Sequence, residues 1–252
     1  MTRCLAVLVL VLLLLVVGRD AAIAQTPSLV VEVEAGPVWQ NVNEVQIPND
    51  ETASRFSLVD LIGNGPWPAP RLYLTWNLAE RHGLRVLVAP LSVTETGVPE
   101  RALSFAGAEY EAGQATQATY TFNSYRLSYR FRWHSGGRTA AWVGFTAKVR
   151  DAVVELEQAP ISSRKTDLGF VPLLHVAGDW QFAPRWHLGL DVDALAGGPG
   201  RAIDGSLKVG YYVSDRWRIR GGYRTVEGGA DVTEVYNFAW LHYAVVSVQW
   251  IW

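Results

Sequence analysis

Apolar and polar residues alternate one for one along much of the chain. In residues 71–78, Leu72, Leu74, Trp76 and Leu78 fall on one side, and Arg71, Tyr73, Thr75 and Asn77 on the other. In residues 125–133 the odd positions are large and apolar or aromatic, while Arg126, Ser128, Arg130 and Arg132 take the even ones. Residues 186–194 and 217–224 repeat the pattern. Successive side chains of a strand point to opposite faces, so a period of two predicts strands with one apolar face. Ten such segments lie near 28–40, 69–78, 84–96, 117–133, 139–156, 168–182, 186–196, 202–213, 217–226 and 237–252. Their connections alternate between tight turns (79–83, 134–138, 183–185, 214–216) and mostly longer loops (41–68, 97–116, 157–167, 197–201, 227–236).

The N-terminus departs from this pattern. Arg3 precedes an unbroken apolar run over residues 5–17, ended by Gly18, Arg19 and Asp20, and Ala22-Ile23-Ala24 offers small residues for cleavage before Gln25. This is the anatomy of a secretory signal peptide. At 1.5 Å per residue the run reaches roughly 20 Å, short of a hydrocarbon core of about 30 Å. The expected domains are therefore a cleaved signal peptide, 1–24, and one β-barrel, 25–252. Cleavage removes Arg3, Arg19 and Asp20, leaving 228 residues with 20 basic and 23 acidic. It also removes Cys4, the only cysteine, which excludes a disulfide scaffold or a thiol enzyme.

An even number of strands, with short turns at one end and longer loops at the other, predicts a closed antiparallel transmembrane barrel of about ten strands. Closure leaves no sheet edge open to lipid. Ten of the eleven tryptophans agree with this threading. Trp76, Trp133, Trp180, Trp186, Trp217, Trp250 and Trp252 fall beside the short turns or the C-terminus, and Trp39, Trp67 and Trp240 fall near the opposite ends. Two aromatic belts suit the two membrane interfaces.

The chain ends Ala-Val-Val-Ser-Val-Gln-Trp-Ile-Trp over residues 244–252, with Val246, Val248, Trp250 and Trp252 at every second position. The phrases Pro-Arg-Trp-His-Leu (184–188) and Asp-Arg-Trp-Arg-Ile (215–219) recur one hairpin apart. These features resemble the assembly signal and periplasmic turns of small OmpA/OmpW-like barrels of Gram-negative outer membranes. The resemblance implies integral outer-membrane location, the barrel-assembly machinery as a partner, and contact with outer-membrane lipid and lipopolysaccharide. Its motifs are architectural and carry no activity.

Parity also nominates the inward residues: Glu32, Glu34, Arg71, Arg85, Arg126, Arg130, Lys148, Asp191, Asp193, Arg218, Arg220 and Arg224, with Arg132, Arg150, Asp179, Asp204 and Lys208 beside them. Eleven of these are basic and six acidic. Two readings are open: an interior filled by ion pairs, or a narrow, anion-favouring passage. A net charge of −2 without a basic cluster argues against a nucleic-acid partner. No metal-ligand spacing, phosphate loop or cofactor motif is present. His175 and His187 each have an Asp four residues on, roughly 13 Å along a strand and too far for a dyad. The expected function is a structural or narrow-passage barrel that is not an enzyme. The rivals are a barrel enzyme acting on surface lipid or peptide, and a secreted lipocalin-like ligand binder.

Overall fold

The computed structural model describes residues 29–197 and 200–252; the segment read as a signal peptide lies outside them. The elements are β1 (Leu29–Ala35), β2 (Pro37–Gln46), β3 (Phe56–Ser57), α1 (Leu58–Ile62), β4 (Trp67–Pro68), β5 (Arg71–Asn77), β6 (His82–Ala89), β7 (Ser92–Gly97), β8 (Leu103–Phe105), β9 (Ala108–Tyr110), β10 (Thr116–Ser135), β11 (Thr139–Gln158), β12 (Ile161–Ala183), β13 (Trp186–Gly197), β14 (Gly200–Tyr212), β15 (Trp217–Val232) and β16 (Val235–Ile251).

All pairings are antiparallel, and the main sheet closes on itself. Val30 of β1 lies opposite Ile251 of β16 on one side and Thr75 of β5 on the other, so the first strand joins the last. β1 and β2 form one interrupted stave along β16, and β6 and β7 form another along β10. With β5 and the seven strands β10–β16, this makes the ten staves expected from the alternation. The break in the first stave falls at Gly36, where any Cβ would overlap the Ala244 carbonyl oxygen of β16. Only glycine permits that approach of two backbones.

Facing follows parity. Leu72, Leu74, Trp76, Leu127, Phe145, Val176, Val209 and Ile219 lie on the exposed outer surface, while Arg71, Tyr73, Arg126, Ser128 and His175 between them are buried inside. An apolar outer belt around a polar interior suits lipid outside and is the inverse of a lipocalin-like cup. Trp76, Trp133, Trp180, Trp186, Trp217, Trp240 and Trp252 are exposed at the rims. Trp67 departs from the expected belt: it packs against the barrel's internal apolar cluster and donates from Nε1 to Glu95 Oε1 at 2.9 Å.

Two features differ from the sequence reading. Residues 157–167 and 227–236 are not loops, because β11 runs on to Gln158, β12 starts at Ile161, β15 runs to Val232 and β16 starts at Val235. A 20-residue strand such as β10 spans about 66 Å, or about 50 Å at a 40° tilt, against an apolar band of roughly 25 Å. The excess rises beyond the membrane, where the outer face turns polar while the ladder continues and Ala118, Tyr120, Val154 and Leu156 stay buried on the inner face. The two long loops that remain, 47–66 and 98–115, fold into the mouth. There Phe56, Leu58, Leu61 and Ile62 from the first, and Leu103, Phe105 and Tyr110 from the second, join Val38, Leu156, Val226, Leu241 and Val245 of the wall in one apolar cluster. Ser57 caps α1 by accepting from the Asp60 amide at 3.2 Å. At Gly97 a Cβ would overlap the Leu61 carbonyl oxygen, so α1 rests directly on the β7 backbone.

Candidate functional site

Below this plug the lumen is polar, and its carboxylates are paired across the barrel. The centre is Asp204 on β14, which accepts from Arg71 at 3.2 Å, from Arg126 at 2.6 Å and from Arg224. Arg126 also reaches Asp193 at 2.8 Å, and Arg224 reaches Glu34 at 3.1 Å. Lys208 bridges Glu34 at 2.6 Å and Glu32 at 2.8 Å, and Arg220 joins Glu32 at 3.2 Å. Arg85 clamps Asp191 with two bonds of 2.5 and 2.9 Å. Nearer the short turns, Arg218 holds Asp179 at 3.1 Å. Glu34 has no solvent-accessible side chain, and Arg71, Arg126, Asp193, Asp204, Lys208 and Arg224 are buried with it. A charge in such a place persists only when it is paired and hydrogen-bonded, which this arrangement supplies.

The structure therefore brings ten of the twelve sequence-nominated inward residues into ion pairs. The other two are cations. Arg130 donates to His175 Nε2 at 3.2 Å and lies over the Trp142 ring at 4.8 Å. Lys148 has no carboxylate within ion-pair distance among the described residues and sits 4.8 Å from the Phe122 ring centre. Tyr73 belongs to the network although parity marked it only as a polar-side residue. Its hydroxyl accepts from Arg224 at 2.6 Å and faces Glu34 at 3.4 Å.

Both inward histidines have carboxylate partners, contrary to the expectation from strand spacing. His175 Nδ1 is 2.8 Å from Asp193, and His187 Nδ1 is 2.7 Å from Asp179. The distance along one strand was the wrong measure, because the partners lie across the β12–β13 ladder, where His175 stands opposite Asp193. Arg130 can only donate, so His175 Nε2 accepts and its proton rests on Nδ1, facing Asp193. His175, Asp191 and Asp193 place three ligand atoms within 4.8 Å of one another. Those carboxylates are already engaged by Arg85, Arg126 and Thr146, so a metal ion would have to displace two guanidiniums. On the outer surface His242 meets the Tyr223 hydroxyl and the Trp240 ring, facing outward as parity required.

No family model and no curated protein matches the chain. Among solved structures, the outer-membrane protease OmpT of Escherichia coli is similar over 93% of this chain and 99% of that one, with a TM-score of 0.58 and 7% identity. The fold is that of an outer-membrane β-barrel. The translocator domain of the autotransporter NalP from Neisseria meningitidis follows at a TM-score of 0.46, 11% identity and 88% of each chain. Outer membrane protein AlkL follows at 0.40, with 10% identity over 94% of this chain and 97% of that one. Identities this low speak for the fold of this barrel and leave the activities of those proteins with them.

The four C-terminal residues marked as an assembly signal lie on β16 or just past it. Val246 and Val248 face outward, Trp250 stacks on Trp252, and Trp252 is exposed.

Proposed function

We propose that this protein is an exported Gram-negative outer-membrane barrel, without enzymatic activity, whose lumen is closed to solutes and which serves as a structural element of the envelope. One observation carries the reading. The six carboxylates that parity nominated as inward are each bonded to cations from other strands, at the level where a passage would have to run. The basic excess that would favour anions is largely spent inside these pairs, and the loop cluster covers part of the mouth above them. On this reading residues 1–24 are cleaved during export. Outer-membrane lipid and lipopolysaccharide surround the belt, and the barrel-assembly machinery reads Val246, Val248, Trp250 and Trp252. The test is swelling of proteoliposomes in small neutral and charged solutes. Protein-free swelling rates are expected for every solute, and size-dependent uptake would overturn the closed-lumen reading.

A further inference from the structure

The barrel ladder is incomplete in its outer half. β12 pairs β13 only as far as Leu174, opposite Ala194. From residue 173 back to 161, among the described residues, the backbone of β12 is ladder-paired to β11 alone, and only the Ser163 side chain reaches Phe105 and Tyr110 across the mouth. β13 ends at Gly197 and β14 begins at Gly200, while the neighbouring hairpins rise higher. This leaves a notch in the wall beside the free edge of β12. A cavity of about 320 Å³ crosses it, lined inside by Phe122, Lys148, Arg150, Val171 and Leu195 and outside by Phe170. It meets a second space of about 440 Å³ under the mouth at Arg150, Ala230 and Asn237. Each falls in the range of small-molecule sites, roughly 300–1,000 Å³.

The two ends of this passage differ in chemistry. Outside, the free edge of β12 presents Leu168 at 74% and Phe170 at 68% exposure, so the notch opens beside the apolar belt. Inside stands Lys148, only 4% exposed, with no hydrogen bond or ion pair to a described residue. The Tyr120 hydroxyl and Arg150 Nε, at the adjoining space, are also buried without hydrogen-bond partners, although another Arg150 nitrogen holds Asp167. A withdrawn ammonium beside Arg126 and Arg150, with no carboxylate bonded to it, is costly unless an anion completes it. Beneath it the Arg126–Asp204–Arg224 cluster closes the floor.

We infer that the notch between β12 and β13 is a blind lateral binding site for a single-chain anionic amphiphile, which places its head group on Lys148 inside the barrel and leads its acyl chain past Val171, Leu195 and Phe170 into the bilayer. The cavity of about 320 Å³ has room for one acyl chain and not for two. The inference goes beyond the closed-lumen reading and is tested separately from it, by binding at the upper chamber and not by flux through the floor.

The full mature chain, refolded in nanodiscs of zwitterionic lipid, is loaded with a fluorescent fatty acid and titrated with competitors. Myristate tests a free carboxylate and myristoyl-lysophosphatidylglycerol a lipid phosphate, with myristyl alcohol as the uncharged control. Saturable displacement by either anion is expected, with the alcohol at least about tenfold weaker, and the ratio of the two anions tells which source the site prefers. Lys148→Met should weaken the anions by about tenfold or more, and Lys148→Arg should keep most of their binding. Leu195→Trp should block the probe. Equal competition by alcohol and anions, displacement by neither anion, or unchanged binding in both Lys148→Met and Leu195→Trp would overturn the inference. Should either variant fail to refold, the comparison of anions with alcohol on the wild-type protein decides alone.

Discussion

Asp204→Asn perturbs the centre of the lumen with almost no change of shape. The carboxylate faces Arg71, Arg126 and Arg224, all buried, and its nearest fellow anions, Glu34 and Asp193, are already shared with Lys208 and His175. Removing its charge leaves three guanidiniums divided among anions that have no spare capacity, and an amide cannot accept three charge-assisted bonds. Breaking a buried pair in this way costs about 3–5 kcal/mol. The control is Arg201→Gln, which removes the exposed Arg201–Glu227 pair on the outer face, worth about 0–1 kcal/mol. Both variants would be unfolded in guanidinium in the presence of lipid vesicles, with folded protein scored by its mobility on unboiled gels. The expected gap is at least about 2 kcal/mol between the two. Adding Arg224→Met to Asp204→Asn should recover part of the loss, since one stranded cation goes with the lost anion. Equal and small losses for Asp204→Asn and Arg201→Gln would mean that water screens the interior pairs, and the closed floor would be refuted.

Three further outcomes follow from the same geometry. Leu74→Arg and Phe145→Arg, on the exposed apolar face, should each destabilise by roughly 2–4 kcal/mol at mid-bilayer depth in the same unfolding assay; insertion at wild-type stability would show that face does not meet lipid. Gly97→Val should push α1 off β7, costing about 1–3 kcal/mol and opening residues 47–66 to added protease, with unchanged proteolysis contradicting the seat described for the plug. Deleting Trp252 should leave protein in the periplasm, where it is degraded, and normal outer-membrane levels of the deletion would remove the assembly role of the C-terminal aromatic.

Much of the barrel was legible because alternation is a local signal. Leu72, Leu74 and Trp76 against Arg71 and Tyr73 announce two faces without any knowledge of neighbours, and the inward set of charges follows by parity. What was not legible depended on register or on packing at a distance. His175 and Asp193 are 18 positions apart in sequence, and only the β12–β13 ladder sets them opposite one another. Phe56, Leu58 and Ile62 lie in a stretch rich in turn residues, and nothing local says that it folds back into the mouth. Trp67 illustrates the same limit, since belt position and plug contact call for the same indole. The upper reaches of β11, β12 and β15 read as loops because polar residues face both ways there. Trp142, which the belts left unplaced, shares the inward parity of Thr146 and Lys148 and carries Arg130 on its ring.

Planar-bilayer recording of the refolded mature protein tests the closed lumen most directly. Wild type should show no steps of conductance at moderate voltage, because the pairs around Asp204 span the lumen from facing strands and the loop cluster lies above them. Asp204→Ala combined with Arg126→Ala, which opens the floor, should conduct. Steady wild-type conductance, with a reversal potential across a salt gradient that reports anion selectivity, would contradict the account and restore the narrow passage.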